Sequence, residues 1–268
     1  MSDSETYEVF AIKYGTMQNR FRRDNFIMPP DPHEGDMPID YYVWVIRNEN
    51  RTLVVDTGFD HEEGKARGRV IERLPREGLE MLGIDAGSVE DVIITHMHYD
   101  HAGTLDDFPA ARFHIQDLEM RYCTGRHMCM EPLGHAYSAE HVCDMVRKVF
   151  SGRVNFVDGA QEIAPGIRLQ LIGGHTMGVQ CVQVMTQRGP VVLASDASHF
   201  YENMEAVAPF PIVYNTADMI AGYETMRRMA ASPQHIIPGH DPQVLERYPA
   251  ADSRHEGVIC RLDVMPGA

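Results

Sequence analysis

Residues 91–105 read DVIITHMHYDHAGTL, a run of apolar β-formers that gives way to His96, His98, Asp100 and His101 within six positions. Imidazole and carboxylate are the side chains that hold divalent metal ions. A polar turn that is merely rich in histidine is the bland alternative for this cluster taken alone. In an extended backbone, side chains two apart share a face, so His96 and His98 are expected side by side. Asp100 and His101 follow where the strand gives out and point toward a neighbouring position. Such a motif can be divided between two ions about 3.5–4 Å apart, as two-metal hydrolysis requires.

A site of that kind needs donors from elsewhere, and the chain has them. LIGGHTMG places His175 after a strand and beside two glycines that leave the backbone room to turn. VVLASDASHF places Asp196 at the end of an apolar strand, and HIIPGHDP places His240 after Pro238 and Gly239. A buried strand, a turn, then a ligand-type residue recurs each time. Several strands delivering donors to one sheet edge is how a rigid scaffold builds a binuclear centre.

The elements that must position these residues are mostly strands. TYEVFAIKY is the first, and YYVWVIRN and RTLVVDTGF flank Glu49–Asn50 as a hairpin. VEDVIITH is a near-continuous apolar run, the mark of a strand covered on both faces. ARFHIQ, RVNFVD, IRLQLI, GVQCVQVMT and PVVLAS follow, with HIIPGH as the last strand. Helices are expected over 65–82, from Asp218 to Met229, and after Ser138, where Val142, Met145, Val146 and Val149 form an apolar stripe. The Met- and Cys-rich stretch 117–150 is expected as a helical insertion between two sheet halves and a wall for a substrate pocket. Residues 16–40, with Phe21, Phe26, Ile27 and Met28, are expected as a lid-like loop. No repeat or linker divides the chain, so residues 1–268 are expected as one domain.

The ordered set H-x-H-x-D-H, then His, Asp and His from later strands, resembles the signature of the metallo-β-lactamase superfamily. The resemblance extends from Val54–Gly58 to Pro238–His240. It implies an α/β fold, an αββα sandwich of two mixed β-sheets flanked by helices. It also implies a first metal on His96, His98 and His175, a second on Asp100, His101 and His240, and Asp196 bridging. Asp56 matches an aspartate that supports the ligand loop. Tyr99 in the fourth motif position makes the chain most like the N-acyl-homoserine lactonase group, the lactonases of quorum quenching. A bridging aspartate also fits glyoxalase II, but the chain after His240 is too short for that enzyme's glutathione-binding region. The implied activity is opening of a lactone ring, with a thioesterase or other ester or cyclic amide hydrolase as the alternative. The implied cofactors are two divalent ions, zinc first, with iron, cobalt or manganese also suited to the donors. Asp100 is expected to move a proton. The group usually has a tyrosine three residues after the bridging aspartate; here that place is His199, with Tyr201 two further on, and either is expected to donate to the substrate oxygen. The remaining histidines, His135 among them, are read as surface or core residues.

The 268 residues carry a formal net charge of −15, which disfavours nucleic acid as a partner. No apolar run reaches the roughly 18 residues of a membrane span. The first ten residues lack the features of a secretory signal, and the five cysteines form no CxxC pair, so the expected location is cytoplasmic, with all five as small buried thiols. The partner implied is a small lactone or ester; the oligomeric state is left open, a homodimer included.

Overall fold

β1 (Glu8–Met17), β2 (Ile39–Arg47) and β3 (Thr52–Val55) open the described chain, residues 5–267 of a computed structural model. Their side chains alternate between two cores. Val9, Ala11, Trp44, Ile46, Leu53 and Val55 go to one, and Phe10, Ile12, Val43, Val45 and Val54 go to the other. Apolar residues in both registers are what a strand covered on both faces requires. The expected hairpin joins β2 to β3, with Trp44 opposite Val55. Asn48 Oδ1 accepts from the amides of Asn50 at 2.9 Å and Arg51 at 3.0 Å and so holds the turn.

The single helix expected over 65–82 is instead α1 (His61–Ala66), β4 (Val70–Ile71) and α2 (Pro75–Met81). Gly68, at φ 66°, turns the chain out of α1, and Pro75 starts α2 at a position where its missing N–H costs nothing. Between them β4 pairs with β1, Val70 opposite Thr16.

β5 (Asp91–Ile93) and β6 (Arg112–Gln116) lead to α3 (Asp117–Cys123), α4 (Glu131–Gly134), α5 (Ala139–Phe150) and β7 (Val154–Val157). Segment 117–150 therefore joins two parallel neighbours of one sheet, not two sheet halves. Parallel strands need such a crossover. Ser138 sits at the N-cap position of α5, but its hydroxyl makes no capping bond. Val142 and Met145 are buried beneath the helix, while Val146 and Val149 are half-buried.

β8 (Ala160–Ala164), β9 (Ile167–Leu171), β10 (Gln180–Thr186), β11 (Gly189–Ser195), α6 (Tyr201–Glu205), α7 (Thr216–Met229), β12 (Ile236–Pro238), α8 (Gln243–Arg247) and β13 (Ile259–Arg261) complete the chain. β8 is a largely exposed edge strand and β13 has three residues, so neither carries a periodic signal, and β12 is not the last strand. The strand order is β13–β1–β2–β3–β5–β6–β7 in one sheet, with β4 on β1, and β12–β11–β10–β9–β8 in the other. Both sheets are mixed. Trp44, Leu169, Val182 and Leu193 belong to the core the two sheets share. Leu79 of α2 and Met145 of α5 close the outer face of the first sheet, and Met219, Tyr223 and Met226 of α7 pack on the second. The result is the expected αββα sandwich.

The long loop is shorter than 16–40, because β1 runs to Met17 and β2 starts at Ile39. Its Phe26 is buried, while Phe21, Ile27 and Met28 are exposed. Polar ties hold it: Arg22 Nη1 to Glu202 Oε2 at 2.7 Å and Ile27 N to the Pro209 carbonyl at 2.9 Å. All five cysteines are free; Cys123, Cys181 and Cys260 are buried, but Cys129 and Cys143 are exposed, contrary to expectation. No helix of the described residues is long and apolar enough to cross a membrane.

Leu169→Ala should lower unfolding free energy by about 2–5 kcal/mol, and Phe150→Ala, at an exposed position, by less than about 0.5 kcal/mol. Denaturant titration followed through the fluorescence of Trp44, the single tryptophan, measures both.

Candidate metal centre

β5 ends at Ile93, so His96 and His98 lie in the turn beyond the strand, not on it. Their rings meet all the same, at 4.5 Å between centroids. The turn is held by a buried carboxylate on each of two sides. Asp56, at φ 62° just after β3, accepts from Thr95 N at 2.7 Å, Thr95 Oγ1 at 2.8 Å and His101 Nδ1 at 2.7 Å. This is the supporting role its place in the sequence implied. Glu119 of α3 accepts from Met97 N at 2.9 Å, Tyr137 Oη at 2.9 Å, Thr176 Oγ1 at 2.6 Å and Gly178 N at 3.2 Å. Sequence reasoning missed Glu119, because nothing in DLEM distinguishes it from a solvated helix residue; its full burial raises its pKa against those four bonds.

The remaining donors come from three strand ends. His175 lies between β9 and β10, where Gly174, at φ 92°, passes so close to α7 that a Cβ would stand 2.4 Å from Met219 N. Asp196 directly follows β11 after Ser195, at φ 47°. His240 follows β12, and a Cβ on Gly239 would stand 2.7 Å from the Ser195 carbonyl and 2.9 Å from Asp196 Oδ1. The glycine of the P-G-H run thus lets β12 bring His240 against Asp196.

All seven residues expected as ligands are brought into one buried cluster. His96, His98, His175 and Asp196 form one group whose ligand atoms lie within 4.8 Å of one another, and Asp100, His101 and His240 form another. Asp196 divides its oxygens between them. Oδ2 lies 3.7 Å from His96 Nε2 and 3.2 Å from His175 Nε2, while Oδ1 lies 3.2 Å from His101 Nε2 and 2.9 Å from His240 Nε2. The ring orientations are fixed from behind: Nδ1 of His175 donates to the Ile212 carbonyl at 2.7 Å, and Nδ1 of His240 to the Asp40 carbonyl at 2.9 Å. With Asp56 holding Nδ1 of His101, all three rings turn Nε2 inward. The buried Nε2 atoms of His96 and His101 have no hydrogen-bond partner among the described residues.

The electrostatics favour added positive charge. Burial drives His96 and His98 well below the usual imidazole range, into the neutral form that ligates. Burial also pulls on His101 and His240, yet the carboxylates of Asp196 and Asp100 outweigh it and hold both above that range. Burial would push Asp196 up, but His199, His240, His101 and His175 hold it well below the usual carboxylate value. Five inward-facing imidazoles around two carboxylates, with orphaned ring nitrogens, are a donor set that fits two divalent ions.

His199 is at the centre, with Nε2 3.0 Å from Asp196 Oδ2 and its ring stacked on Phe210 at 3.6 Å. Burial lowers its pKa to about 3 against the attraction of Asp196, so it is neutral. Tyr201 is not there, which corrects its expected catalytic place. As the first residue of α6, it turns its ring into the buried core beside Tyr248, where the Arg247 guanidinium lies 3.7 Å from its centroid. A cavity of about 80 Å³ opens over the cluster, lined by His98, Asp100, Asp196, His199 and His240 and walled by Arg20, Tyr41, Arg69, Tyr99, Phe210 and Ile212 among others. The Met-rich segment contributes His135 and Ala136 to it, not its methionines. A larger surface cleft of about 720 Å³, at Glu5, Arg47 and Arg261, contains none of the cluster.

The family model described as Metallo-beta-lactamase superfamily matches residues 38–256. An N-acyl homoserine lactonase of a Bacillus species is 26% identical over 192 residues, 65% of this chain and 70% of the relative. The N-acyl homoserine lactonase AiiA of Bacillus thuringiensis subsp. kurstaki is 25% identical over 186 residues, 63% and 68% of the two chains. Among solved structures, an N-acyl homoserine lactone hydrolase with N-hexanoyl-L-homoserine at its catalytic metal centre superposes with a TM-score of 0.73 at 19% identity, covering 90% of this chain and 96% of the other. The dizinc quorum-quenching lactonase AidC superposes at 0.65 and 14% identity, covering 89% and 92%.

Asp56→Ala should weaken divalent-metal affinity about 10- to 100-fold by freeing His101 and the turn, whereas Tyr201→Phe should leave it unaltered. Competition against a chromophoric chelator measures both.

Proposed function

Since this chain belongs to the metallo-beta-lactamase superfamily, we propose that it is a metal-dependent hydrolase that opens a small lactone ring. His96, His98 and His175 would hold one divalent ion, Asp100, His101 and His240 a second, and Asp196 both; zinc is the proposed metal, and iron, cobalt or manganese suits the same donors. The observation that carries this reading is the division of the Asp196 oxygens between two sets of imidazoles. Ions held there supply Lewis acidity, polarising a carbonyl and bringing the pKa of water from about 15.7 toward 7.

The side chains do the rest. Asp100 is the least buried of the seven and faces the cavity, placed to take the proton released by the attacking water and return it to the ring oxygen as it leaves. His199, neutral, donates its single N–H at Nε2 to Asp196 Oδ2 and so positions that carboxylate from the cavity wall. No nucleophilic serine or cysteine is required: Cys181 lies in β10 with its thiol pushed up to about 12. The relatives named as lactonases support a lactone over other carbonyl substrates. A thioester or ester remains the second reading, because the same water attacks any of these carbonyls and substrate choice resides in the walls.

Zinc-loaded protein should release protons from acyl-homoserine lactones or simple γ-lactones, and metal-stripped protein should not; turnover of a glutathione thioester with silent lactones would transfer the protein to the second reading. Asp196→Ala should lose most of the activity and bind metal poorly. His199→Ala should lower turnover by about 10- to 100-fold, the usual cost of losing a group that orients a metal ligand, with metal content retained.

A further inference from the structure

Arg20 and Arg69 both line the cavity over the metal centre, in a chain whose net charge is −15. They are therefore not an edge of a generally basic surface. Aromatic rings separate each of them from the metal centre. The Arg20 guanidinium lies 5.0 Å from the centroid of Phe210, the ring stacked on His199. Arg69 Nε donates to Tyr99 Oη at 3.0 Å, and Tyr99 is next in sequence to Asp100 and bonded at 3.1 Å to Tyr41, which packs against His240.

Among the described residues neither arginine has an ion-pair partner. Arg20 is bonded to the Asn25 amide oxygen and the Asp24 carbonyl, and Arg69 to Tyr99 Oη and the Arg67 carbonyl. Those bonds leave Nη1 of Arg20 and Nη2 of Arg69 without a protein acceptor. Arg67 lines the same cavity but is occupied, by the Glu63 carboxylate and the carbonyls of His135 and Tyr137. Burial lowers the Arg20 pKa against the charge of Asp24, and Arg69 adds to that cost, whereas at Arg69 burial is outweighed by Tyr99, Tyr41 and Asp100, which hold its pKa above the usual value. Two half-buried guanidiniums that line one small cavity, neither in an ion pair, present free donors to an anion that enters it.

We propose that Arg20 and Arg69 bind a carboxylate carried by the substrate, so that the preferred substrate is a compact anionic lactone and not a neutral lactone with a long acyl tail. A volume of about 80 Å³ bounded by arginine, histidine and tyrosine side chains suits a short charged substituent. This inference rests on the hydrolase reading for the reacting ring, but the anion site stands on the arginines alone.

The test uses the zinc-loaded protein with γ-butyrolactone-γ-carboxylate and the corresponding carboxamide, and calorimetric binding of their two ring-opened products. The expected kcat/KM ratio favours the carboxylate by about 10- to 100-fold, the worth of one or two charge-assisted contacts. The hydroxy-diacid should outbind its monoamide to a similar degree, and Arg20→Met and Arg69→Met should each collapse both ratios. Arg69→Lys should restore part of them, and an unchanged Tm shows that the variants are folded. Equal handling of charged and neutral compounds, or a preference that survives both methionine variants, overturns the proposal. Silent lactones together with arginine-dependent binding of the hydroxy-diacid would uphold the anion site and remove the lactone reading instead.

Discussion

Asp196 is a carboxylate withdrawn almost wholly from water, and it keeps its charge because imidazole rings from five positions point at it from within 4 Å. An isolated buried charge of this kind is among the costliest features a fold can contain. The arrangement is tolerable only if cations, protons or metal ions, occupy the space between carboxylate and rings. The strand ends that supply Asp196, His175 and His240 have to converge, because no one of them satisfies the others alone. The shared core beneath them, with Trp44, Leu169 and Leu193, fixes the two sheets against each other and thereby fixes the convergence.

Support extends outward in a consistent pattern. Carbonyls of Asp40 and Ile212 orient two of the rings, and Asp56 orients a third. Glu119 ties the ligand turn to the loop that carries His175, through Met97 on one side and Thr176 and Gly178 on the other. Asp56 and Glu119 are themselves buried acids, and both have pKa values raised by burial. Their hydrogen bonds to backbone amides are what make that burial bearable. Rigid donors and a satisfied surrounding polar network belong together, since metal affinity depends on ligands that do not have to be reorganised on binding.

Above the donors, the walls differ in character from the floor. Tyr41, Tyr99 and Phe210 form an aromatic layer between the metal centre and the arginines of the rim. On the proposed reading, the hydrolytic chemistry belongs to the floor, and the rim would select which carbonyl compound reaches it. The long loop takes part through Arg20 and not through its apolar tip, whose exposed Met28 lines no part of the cavity.

The sequence by itself determined which seven residues are the candidate donors, their order and most of the strands that carry them. Metal ligation demands particular side chains, and close spacing at strand ends leaves a local signal; apolar alternation likewise marks strands without reference to any partner. Asp56 was legible because it belongs to the same ordered pattern. What lay across the fold was not. Glu119 and Arg20 acquire meaning only from partners far away in the chain, and His135 only from the cavity it reaches. Tyr201 shows the converse: adjacent in sequence to the site, it is turned into the core by the start of α6. The helix expected over 65–82 failed for the same reason, since Val70 and Ile71 are held by pairing with β1, an interaction to which helical spacing is blind. Local chemistry fixes which residues can act; only long-range packing decides which of them face one another.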